Sequence, residues 1–444
     1  MEKILILDLG GRSARVLCSA VRECKVYSEI LPADTPIEEI KNGGYKGVII
    51  AGEETDKIDS EIFSLSLPVL AVGYGANVFV KALGGECIEN ELEKGVYPLA
   101  LDNTCVMLSS VPQKTPCYMS HRLYINRVPT GFRITARTEK SAVAAMENSN
   151  AGLYALQFEA ESLKSEAGVI MLKNFLYKAC SCHAEWTAAA FLRKTTASIG
   201  LAVEGHRVMC VLTGRENEET AARLLYKSVG SSLSCLFIDS SLLKKGESER
   251  IRAEFSALCG NNFYYADAAQ RFKGKLIGIT DNAGKERICR EEFSRVFEEE
   301  CEKLPSFSYL ADPATQGEER LGFKGSFTAV IEPLRMLLPE ELSPISEALG
   351  GKDENYSSSF AALALAVEGE VTDEKIALVR EADSIFSKAV NTEAKTKAEL
   401  SRDGKTVFLS AFKDGKRTEI PFSVLKSAAT EIKKLSIEKV AFEI

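Results

Sequence analysis

The fold of this chain is decided by the stretch Pro68-Val69-Leu70-Ala71-Val72-Gly73-Tyr74-Gly75-Ala76-Asn77. Its apolar run predicts a buried strand, and the spacing of Val78, Val80 and Leu83 beyond it predicts a helix. A strand that passes directly into a helix makes a sharp turn, and such a turn can present one side chain for chemistry. The residue at the apex is Gly73, which has no side chain to present.

Two similar apolar runs precede this turn. They are Lys3-Ile4-Leu5-Ile6-Leu7-Asp8 and Gly47-Val48-Ile49-Ile50, and each is followed by turn residues and a segment with helical spacing. Strands that alternate with helices in this way predict an α/β domain with a parallel, doubly wound sheet. Its functional loops are then expected at the carboxyl ends of the strands.

The length and the charge of the chain limit the classes of function that it can have. The chain has 444 residues, of which 45% are hydrophobic, so about three domains of roughly 150 residues each are expected. The net charge of -8, without a Lys/Arg stripe, argues against a nucleic-acid partner. The N-terminus predicts a strand and not a signal peptide, and no apolar run approaches ~18 residues. A cytoplasmic protein without a membrane partner is therefore expected.

The twelve cysteines are scattered, which in a long intracellular chain is typical of buried thiols. One cluster stands out, Cys180-Ser181-Cys182-His183. A metal site would need a second group of ligands at suitable spacing, and the chain has only three histidines. No metal site is therefore expected.

The order of several motifs resembles the amidotransferase domain of the GMP synthase family, which belongs to the class I glutamine amidotransferases. These motifs are Ile6-Leu7-Asp8-Leu9-Gly10, Tyr27-Ser28-Glu29-Ile30-Leu31-Pro32, the turn at Gly73, Met119-Ser120-His121 and Leu156-Gln157-Phe158. The resemblance continues beyond them. Leu233-Ser234-Cys235-Leu236-Phe237-Ile238-Asp239 and the loop that follows are similar to the family's ATP-pyrophosphatase domain, and Gly369-Glu370-Val371-Thr372 and Lys439-Val440-Ala441-Phe442 to its C-terminal dimerisation domain.

The resemblance implies three parts. Residues 1–182 form an amidotransferase-like domain, residues 183–325 a second parallel α/β domain of the ATP-pyrophosphatase type, and residues 326–444 a small, truncated α+β dimerisation-like domain. It also implies a homodimer, or a heteromer with a true GMP synthase, formed through the C-terminal domain.

The amidotransferase chemistry needs a cysteine nucleophile, a histidine and an orienting carboxylate. By the resemblance, Gly73 stands at the cysteine position, Glu159 at the histidine position and Glu161 at the retained carboxylate. The loop that supplies an oxyanion-stabilising amide in the family is here Ala51-Gly52-Glu53-Glu54, and a carboxylate at Glu53 would oppose the developing negative charge. The catalytic set is thus predicted to be lost.

His121 is a candidate replacement base, together with Ser120. In the family this segment helps to hold glutamine, so we interpret both residues as a remnant of the glutamine pocket. Without a nearby nucleophile, His121 has no group to activate.

The pyrophosphate loop of the family, Ser-Gly-Gly-x-Asp-Ser, corresponds here to Thr213-Gly214-Arg215-Glu216-Asn217-Glu218-Glu219. Glycines in such a loop let backbone N–H groups converge on phosphate. Arg215 replaces one glycine, and three glutamates put negative charge where phosphate would sit. Carboxylates in a first helical turn also favour the helix itself, so self-capping of an emptied anion site is the interpretation we favour. Asp239 is retained as an isolated carboxylate.

The parts that bind xanthosine monophosphate (XMP) in the family also differ. A proline- and glycine-rich loop is replaced by Ser357-Ser358-Ser359-Phe360-Ala361-Ala362, and a histidine-containing lid by Gly322-Phe323-Lys324-Gly325-Ser326. The sequence closes at Phe442-Glu443-Ile444, before the family's nucleotide-binding tail would begin.

Three functions are compatible with this pattern. The first is a folded pseudoenzyme retained for binding or regulation, with no cofactor, and the apolar strands, which are intact, favour it. The second is a divergent C–N ligase of the GMP synthase type that uses ATP, Mg and ammonia on XMP or an altered substrate. The third is a ligand sensor, in which Glu53, Glu54, Glu159 and Glu161 converge near Gly73 and raise each other's pKa or recruit a cation. The alternative for these acids is pairing with Arg12, Arg122 or nearby lysines.

Overall fold

The structure is a computed structural model that describes residues 2–53, 55, 58–318, 320, 322–351, 359–390, 394–413 and 416–443. The chain forms two compact units, residues 1–190 and 191–444. Within the described residues, no helix is both long enough and apolar enough to cross a membrane. The expected α/β fold with parallel sheets is confirmed, whereas the expected division into three domains stays a prediction.

The first unit is built on one large sheet and a long two-stranded ribbon. Its strands are β1 (Lys3–Asp8), β2 (Tyr27–Pro32), β3 (Gly47–Ala51), β4 (Val69–Val72), β5 (Glu86–Pro98), β6 (Ala100–Leu101), β7 (Pro116–Arg127), β8 (Arg133–Arg137), β9 (Ala145–Asn148) and β10 (Leu153–Leu156). Its helices are α1 (Ser13–Glu23), α2 (Ile37–Asn42), α3 (Tyr74–Ala82) and α4 (Glu166–Lys173), the last continuing into a π-helical turn, Asn174–Ala179. Short 3-10 turns lie at Ser60–Ser64 and Ala160–Lys164.

The large sheet has the strand order β2-β1-β3-β4-β10-β9-β8-β6. Neighbours from β2 to β10 run parallel, and the strands beyond β10 pair antiparallel. Strand β4 is central and every residue in it is buried, which explains its continuous apolar sequence. Its register with β10 pairs Val72 with Leu156, so the residues that follow these two strands emerge side by side.

The strands of the second unit lie in two sheets. They are β11 (Val208–Leu212), β12 (Leu233–Asp239), β13 (Phe263–Asp267), β14 (Tyr309–Ala311), β15 (Ala329–Ile331), β16 (Lys395–Leu400), β17 (Thr406–Lys413), β18 (Lys416–Arg417) and β19 (Lys439–Phe442). The helices of this part begin with α5 (Ala188–Val203) and continue with α6 (Glu216–Val229), α7 (Glu247–Cys259), α8 (Ala269–Leu276), α9 (Asn282–Cys301), α10 (Leu342–Ala348), α11 (Ala362–Leu365), α12 (Asp373–Val390) and α13 (Phe422–Lys433). Short 3-10 turns lie at Gly230–Ser232, Gly260–Asn262 and Pro339–Glu341.

The first of these sheets is parallel throughout, in the order β13-β12-β11-β14-β15. The second is mixed: β17 pairs antiparallel with β16 and β18 and parallel with β19. One hydrophobic core joins the two sheets, since it contains Val211 of β11, Phe293 of α9, Phe386 of α12 and Leu409 of β17. The second unit is therefore held together by shared apolar burial.

Candidate functional site

The turn at Gly73 has the sharp geometry that its sequence predicts. Gly73 lies between β4 and α3 with φ 61° and ψ -128°, and its N–H donates to the carbonyl of Leu156 over 2.9 Å. A Cβ atom at residue 73 would lie 3.6 Å from Oε2 of Glu159 and 3.9 Å from the carbonyl oxygen of Phe158. A side chain therefore has room at this position and would face Glu159.

Glu159 is the group that a nucleophile at this turn would meet. Its N–H donates to the carbonyl of Tyr118 over 2.9 Å, and its side chain is half-buried. Burial and, to a smaller extent, the carboxylates of Glu53 and Glu161 raise the pKa of Glu159 to about 7, although Arg12 opposes them. Glu159 therefore changes its charge near neutral pH.

The other acids of this cluster have partners close to them. The guanidinium of Arg12, 80% exposed, lies 2.7 Å from Oε1 of Glu161, and Ser13 Oγ donates to Oε1 of Glu53 over 3.2 Å. The structure thus brings Glu53, Glu159 and Glu161 together as expected, and Arg12 pairs with one of them. Glu54 lies outside the described residues.

His121 lies on β7, and its contacts are buried ones. Its Nε2 is 3.2 Å from Oε2 of Glu93, which is fully buried, and 3.3 Å from Oγ of Ser141. The Ser141 hydroxyl donates to the same Glu93 oxygen over 2.5 Å, and Thr138 Oγ1 donates to the other over 2.9 Å. Burial lowers the pKa of His121 although Glu93 opposes this effect, so the imidazole is neutral at pH 7.

Sequence reasoning missed Glu93. It lies in the polar run Glu89-Asn90-Glu91-Leu92-Glu93-Lys94, which is typical of a solvated strand. The ribbon of β5 and β7 pairs Glu93 with His121 after an irregularity in register that follows Glu89. Ser120, next to His121, is exposed. The contacts of His121 are those of a structural residue.

The second candidate site lies where β11 passes into α6. Glu218, in the first turn of α6, is fully buried. Its Oε2 accepts hydrogen bonds from the N–H of Thr213 over 2.5 Å and from the N–H of Arg215 over 3.3 Å. Its Oε1 accepts from Thr213 Oγ1 over 2.8 Å and from Arg215 Nε over 2.8 Å. The backbone and hydroxyl donors of this turn therefore converge on a carboxylate of the same chain.

The neighbouring glutamates point elsewhere. Glu219 is fully buried and binds Arg250 through both terminal nitrogens, at 2.8 and 2.7 Å, and Arg223 at 3.0 Å. Glu216 lies 3.5 Å from Nζ of Lys395. Three glutamates are expected at the phosphate position. Glu218 accepts hydrogen bonds from the backbone of the turn, whereas Glu216 and Glu219 form ion pairs with basic side chains.

The remaining residues of this site are held by local contacts. Asn217 donates from Nδ2 to Oε2 of Glu318 over 3.2 Å. Gly214 has φ 102°, and a Cβ there would come within 2.4 Å of the Leu243 side chain. Asp239 lies at the end of β12. Its Oδ1 accepts a hydrogen bond from the N–H of Ser241 over 2.9 Å, and its Oδ2 accepts from the hydroxyl of Tyr265 over 3.3 Å and from that of Ser248.

The structure describes residues 359–362 of the serine-rich loop at residues 357–362. Ser357 and Ser358 lie outside the described residues, and Phe360 is buried against Phe293 with their ring centroids 5.5 Å apart. The guanidinium carbon of Arg215 lies 5.8 Å from the centroid of the Phe360 ring. The apolar ring thus belongs to the core of the second unit.

The cysteine and histidine cluster is not arranged as a metal centre. Cys180 and Cys182 are buried, and Nδ1 of His183 lies 3.2 Å from Oε1 of Glu2. Across the part of the chain that the structure describes, no three or more His, Cys, Asp or Glu residues are grouped so that they could hold a metal ion. The absence of a metal stays a prediction for the whole chain.

Comparison with known proteins gives the family. The model of the class-I glutamine amidotransferase family matches residues 5–179. GMP synthase (glutamine-hydrolyzing) of Clostridium botulinum strain Langeland is 35% identical over 422 residues, covering 88% of this chain and 82% of that protein. The chain belongs to the GMP synthase family.

Two further proteins are similar to this chain. The GMP synthase of Carboxydothermus hydrogenoformans is 34% identical, covering 87% of this chain and 81% of that protein. A glutamine amidotransferase structure from Thermotoga maritima is 15% identical with a TM-score of 0.32, covering 41% of this chain and 99% of that one.

Proposed function

We propose that this chain is a GMP synthase-like pseudoenzyme that lacks glutaminase and ATP-pyrophosphatase chemistry. It serves as a binding or regulatory scaffold linked to purine nucleotide (GMP) biosynthesis. The observation that carries the proposal is the carboxylate of Glu218, which accepts the hydrogen bonds of Thr213 and Arg215 in the turn that would bind pyrophosphate.

Electrostatics supports exclusion of ATP from this turn. A phosphate oxygen brought to within about 4 Å of the Glu218 carboxylate would be repelled by about 4 kcal/mol at an effective dielectric of about 20. That repulsion weakens binding roughly a thousandfold, because each 1.4 kcal/mol is about tenfold in affinity. Displacing the carboxylate instead would break its ion pair with Arg215 Nε at 2.8 Å. Either route opposes nucleotide binding.

The first unit supports loss of the glutaminase step. Gly73 offers no nucleophile, so no thioester with glutamine can form there. The position that its side chain would face is occupied by Glu159, an acid where the family's mechanism needs a base. Glu161, the retained carboxylate, pairs with Arg12.

Isothermal titration of the full chain with Mg-ATP, glutamine and XMP tests the proposal. We expect no binding of Mg-ATP to the unsubstituted protein, and neither glutamate, AMP nor GMP above a no-protein blank. The double variant Arg215→Gly/Glu218→Ser removes the carboxylate, and we expect it to gain affinity for inorganic pyrophosphate. Glu374→Ala, an exposed acid in the first turn of α12, is the matched control and gains none.

The outcomes separate the pseudoenzyme from a ligase and from a sensor. Formation of AMP and pyrophosphate by the unsubstituted protein would overturn the pseudoenzyme proposal. It would establish the alternative, a C–N ligase that uses ATP and ammonia on XMP or an altered substrate. Binding of a small cationic metabolite at the acidic cluster near Gly73, detected by thermal shift, would instead favour a sensor.

For the partner, we propose a second copy of this chain or an intact GMP synthase, bound through the C-terminal part. Phe422, at the start of α13, supports a contact surface there, since it is 77% exposed. Light scattering of the full chain, alone and mixed with an intact family member, measures the assembly. Phe422→Ser is expected to weaken it and Glu374→Ala to leave it unchanged.

A further inference from the structure

Two cysteines of the second unit lie in contact. Cys235 is in the middle of β12 and is fully buried, and Cys259 is the last residue of α7 and is partly exposed. Their sulfur atoms are 3.5 Å apart. A disulfide needs about 2.05 Å between the sulfurs, so the approach still required is small.

The surroundings of the pair make its two members unequal. Cys235 lies in the apolar core among Leu225, Phe237 and Phe255, whereas Cys259 lies at the edge of that core. A hydrogen bond shared with Cys235 lowers the pKa of Cys259. The pair therefore joins one partly exposed residue to one that is fully buried, with their sulfurs side by side.

Other partly exposed cysteines lack this combination. Burial raises the pKa of Cys301 to about 11, and it also raises the pKa of Cys87. The sulfur of Cys87 contacts the side-chain and backbone oxygens of Asn77, at 3.6 and 3.9 Å. Neither residue has the 3.5 Å sulfur contact that Cys235 and Cys259 share.

We propose that Cys235 and Cys259 form a modification site, in which a hydroperoxide converts the two thiols reversibly into a disulfide. This inference goes beyond the proposed scaffold function and does not depend on it. Its basis is the contact between the two sulfurs, one of which belongs to a partly exposed residue.

The reaction balances with hydrogen peroxide as the oxidant. The Cys259 thiolate attacks one peroxide oxygen, the O–O bond breaks, and a sulfenic acid and hydroxide form. The Cys235 thiol then attacks the sulfenic sulfur, an S–S bond forms, and the hydroxyl leaves. The departing hydroxyl takes the proton of the Cys235 thiol and leaves as water. The hydroxide takes the proton that Cys259 lost when it ionised, which gives the second water. The two thiols lose two electrons, and the peroxide gains them.

Closing the disulfide would link α7 covalently to β12. The segment between the two cysteines contains Asp239 and the loop whose carbonyls at Ser241 and Leu243 accept hydrogen bonds from Arg380. Oxidation would thus fix the end of α7 against the strand that carries Asp239. Cys210, the register neighbour of Cys235 on β11, has its sulfur 3.8 Å from the carbonyl oxygen of Glu218.

Peptide mapping of the full chain tests the site. The native protein is treated with hydrogen peroxide, the remaining thiols are alkylated under denaturing conditions, and the protein is digested with trypsin. The expected product joins residues 228–244 to residues 253–271, each of which contains one cysteine. Its mass is two hydrogens below the sum of the two peptides, and dithiothreitol abolishes it.

Variants make the result decisive. Cys259→Ser and, separately, Cys235→Ala should abolish the linked peptide, and Cys301→Ser should leave its yield unchanged. We expect loss of two of the twelve thiols on titration after denaturation. Oxidation of Cys259 to sulfinic acid without the linked peptide would overturn the proposal, as would a linked peptide that appears only when peroxide is added to unfolded protein.

Discussion

Substitution of Glu218 by alanine probes the self-capped turn most directly. The change removes a fully buried carboxylate and leaves the N–H groups of Thr213 and Arg215 and the Arg215 guanidinium without that acceptor. Hydrogen bonds to a charged group contribute about 1.5–3 kcal/mol each. Removing one partner of a buried ion pair costs about 3–5 kcal/mol.

The expected loss lies at the lower end of these figures. The side chain of Arg215 is 16% exposed, so water can reach its guanidinium after the substitution. We therefore expect a loss of about 3 kcal/mol in the local stability of the first turns of α6. Because each 1.4 kcal/mol is a factor of ten, amide exchange there should be on the order of a hundredfold faster.

Hydrogen–deuterium exchange with peptide-level mass spectrometry measures this change. The peptides to compare cover Glu216–Val229, and peptides from the first unit serve as internal references. Glu374→Ala, which removes an exposed acid from the first turn of α12, should change exchange in α12 by no more than about fivefold, since such an acid contributes only about 0.3–1 kcal/mol. An increase of less than about tenfold for Glu218→Ala would refute the reasoning, because the carboxylate would then contribute less than about 1.4 kcal/mol.

Three further predictions concern the first unit, for which Trp186 is a buried fluorescent probe. The pKa of Glu159 is raised to about 7 from 4.5, so its ionisation destabilises the folded state. Glu159→Gln should therefore raise the midpoint of thermal unfolding at pH 8, and this increase should shrink as the pH falls towards 4.5. Glu93→Ala should lower the free energy of unfolding by about 2–4 kcal/mol in urea titrations, since it strips a buried imidazole and two hydroxyls of their acceptor. In the variant Gly73→Cys, the carboxylate of Glu159 should raise the pKa of the new thiol by about one unit. This thiol should therefore react with Ellman's reagent about tenfold more slowly than the same thiol in Gly73→Cys/Glu159→Gln.

Each of these has a control and a contradicting result. For Glu159, the exposed Glu185→Gln should show no pH-dependent difference, and a constant offset across pH would mean that the Glu159 pKa is not raised. For Glu93, the exposed neighbour Glu91→Ala is the match, and equal losses for both would show that the buried contacts contribute nothing. For Gly73, equal reaction rates in the two variants would show that residue 73 does not face Glu159.

Much of the first site follows from local sequence. The apolar residues of β4 and the glycines at 73 and 75 predict a strand that turns sharply into a helix, and the structure has this turn. Gly75 is required for a second reason, since a Cβ there would come within 2.5 Å of the carbonyl oxygen of Ile50. The placement of Glu159 beside Gly73 follows from the parallel register of β4 and β10.

Other features depend on distant contacts that a single sequence does not contain. Successive residues of a helix point about 100° apart, so Glu216, Glu218 and Glu219 face different neighbours. Which of them enters the turn depends on where α6 begins. The partners of Glu219 come from elsewhere, and Arg250 is 31 residues away on α7. Local composition predicted negative charge at this site but not the direction of each side chain.

The backbone at Gly73 also bears on how readily this turn could accept a side chain. A residue with a side chain would hold φ near 61° there, a conformation that costs on the order of 1–3 kcal/mol for residues other than glycine. Glycine adopts this conformation freely, so Gly73 holds the turn without strain. A substitution of Gly73 by a residue with a side chain would introduce that strain, and the new side chain would face Glu159. Strain at this one residue therefore opposes the reintroduction of a side chain, whichever group that side chain carries.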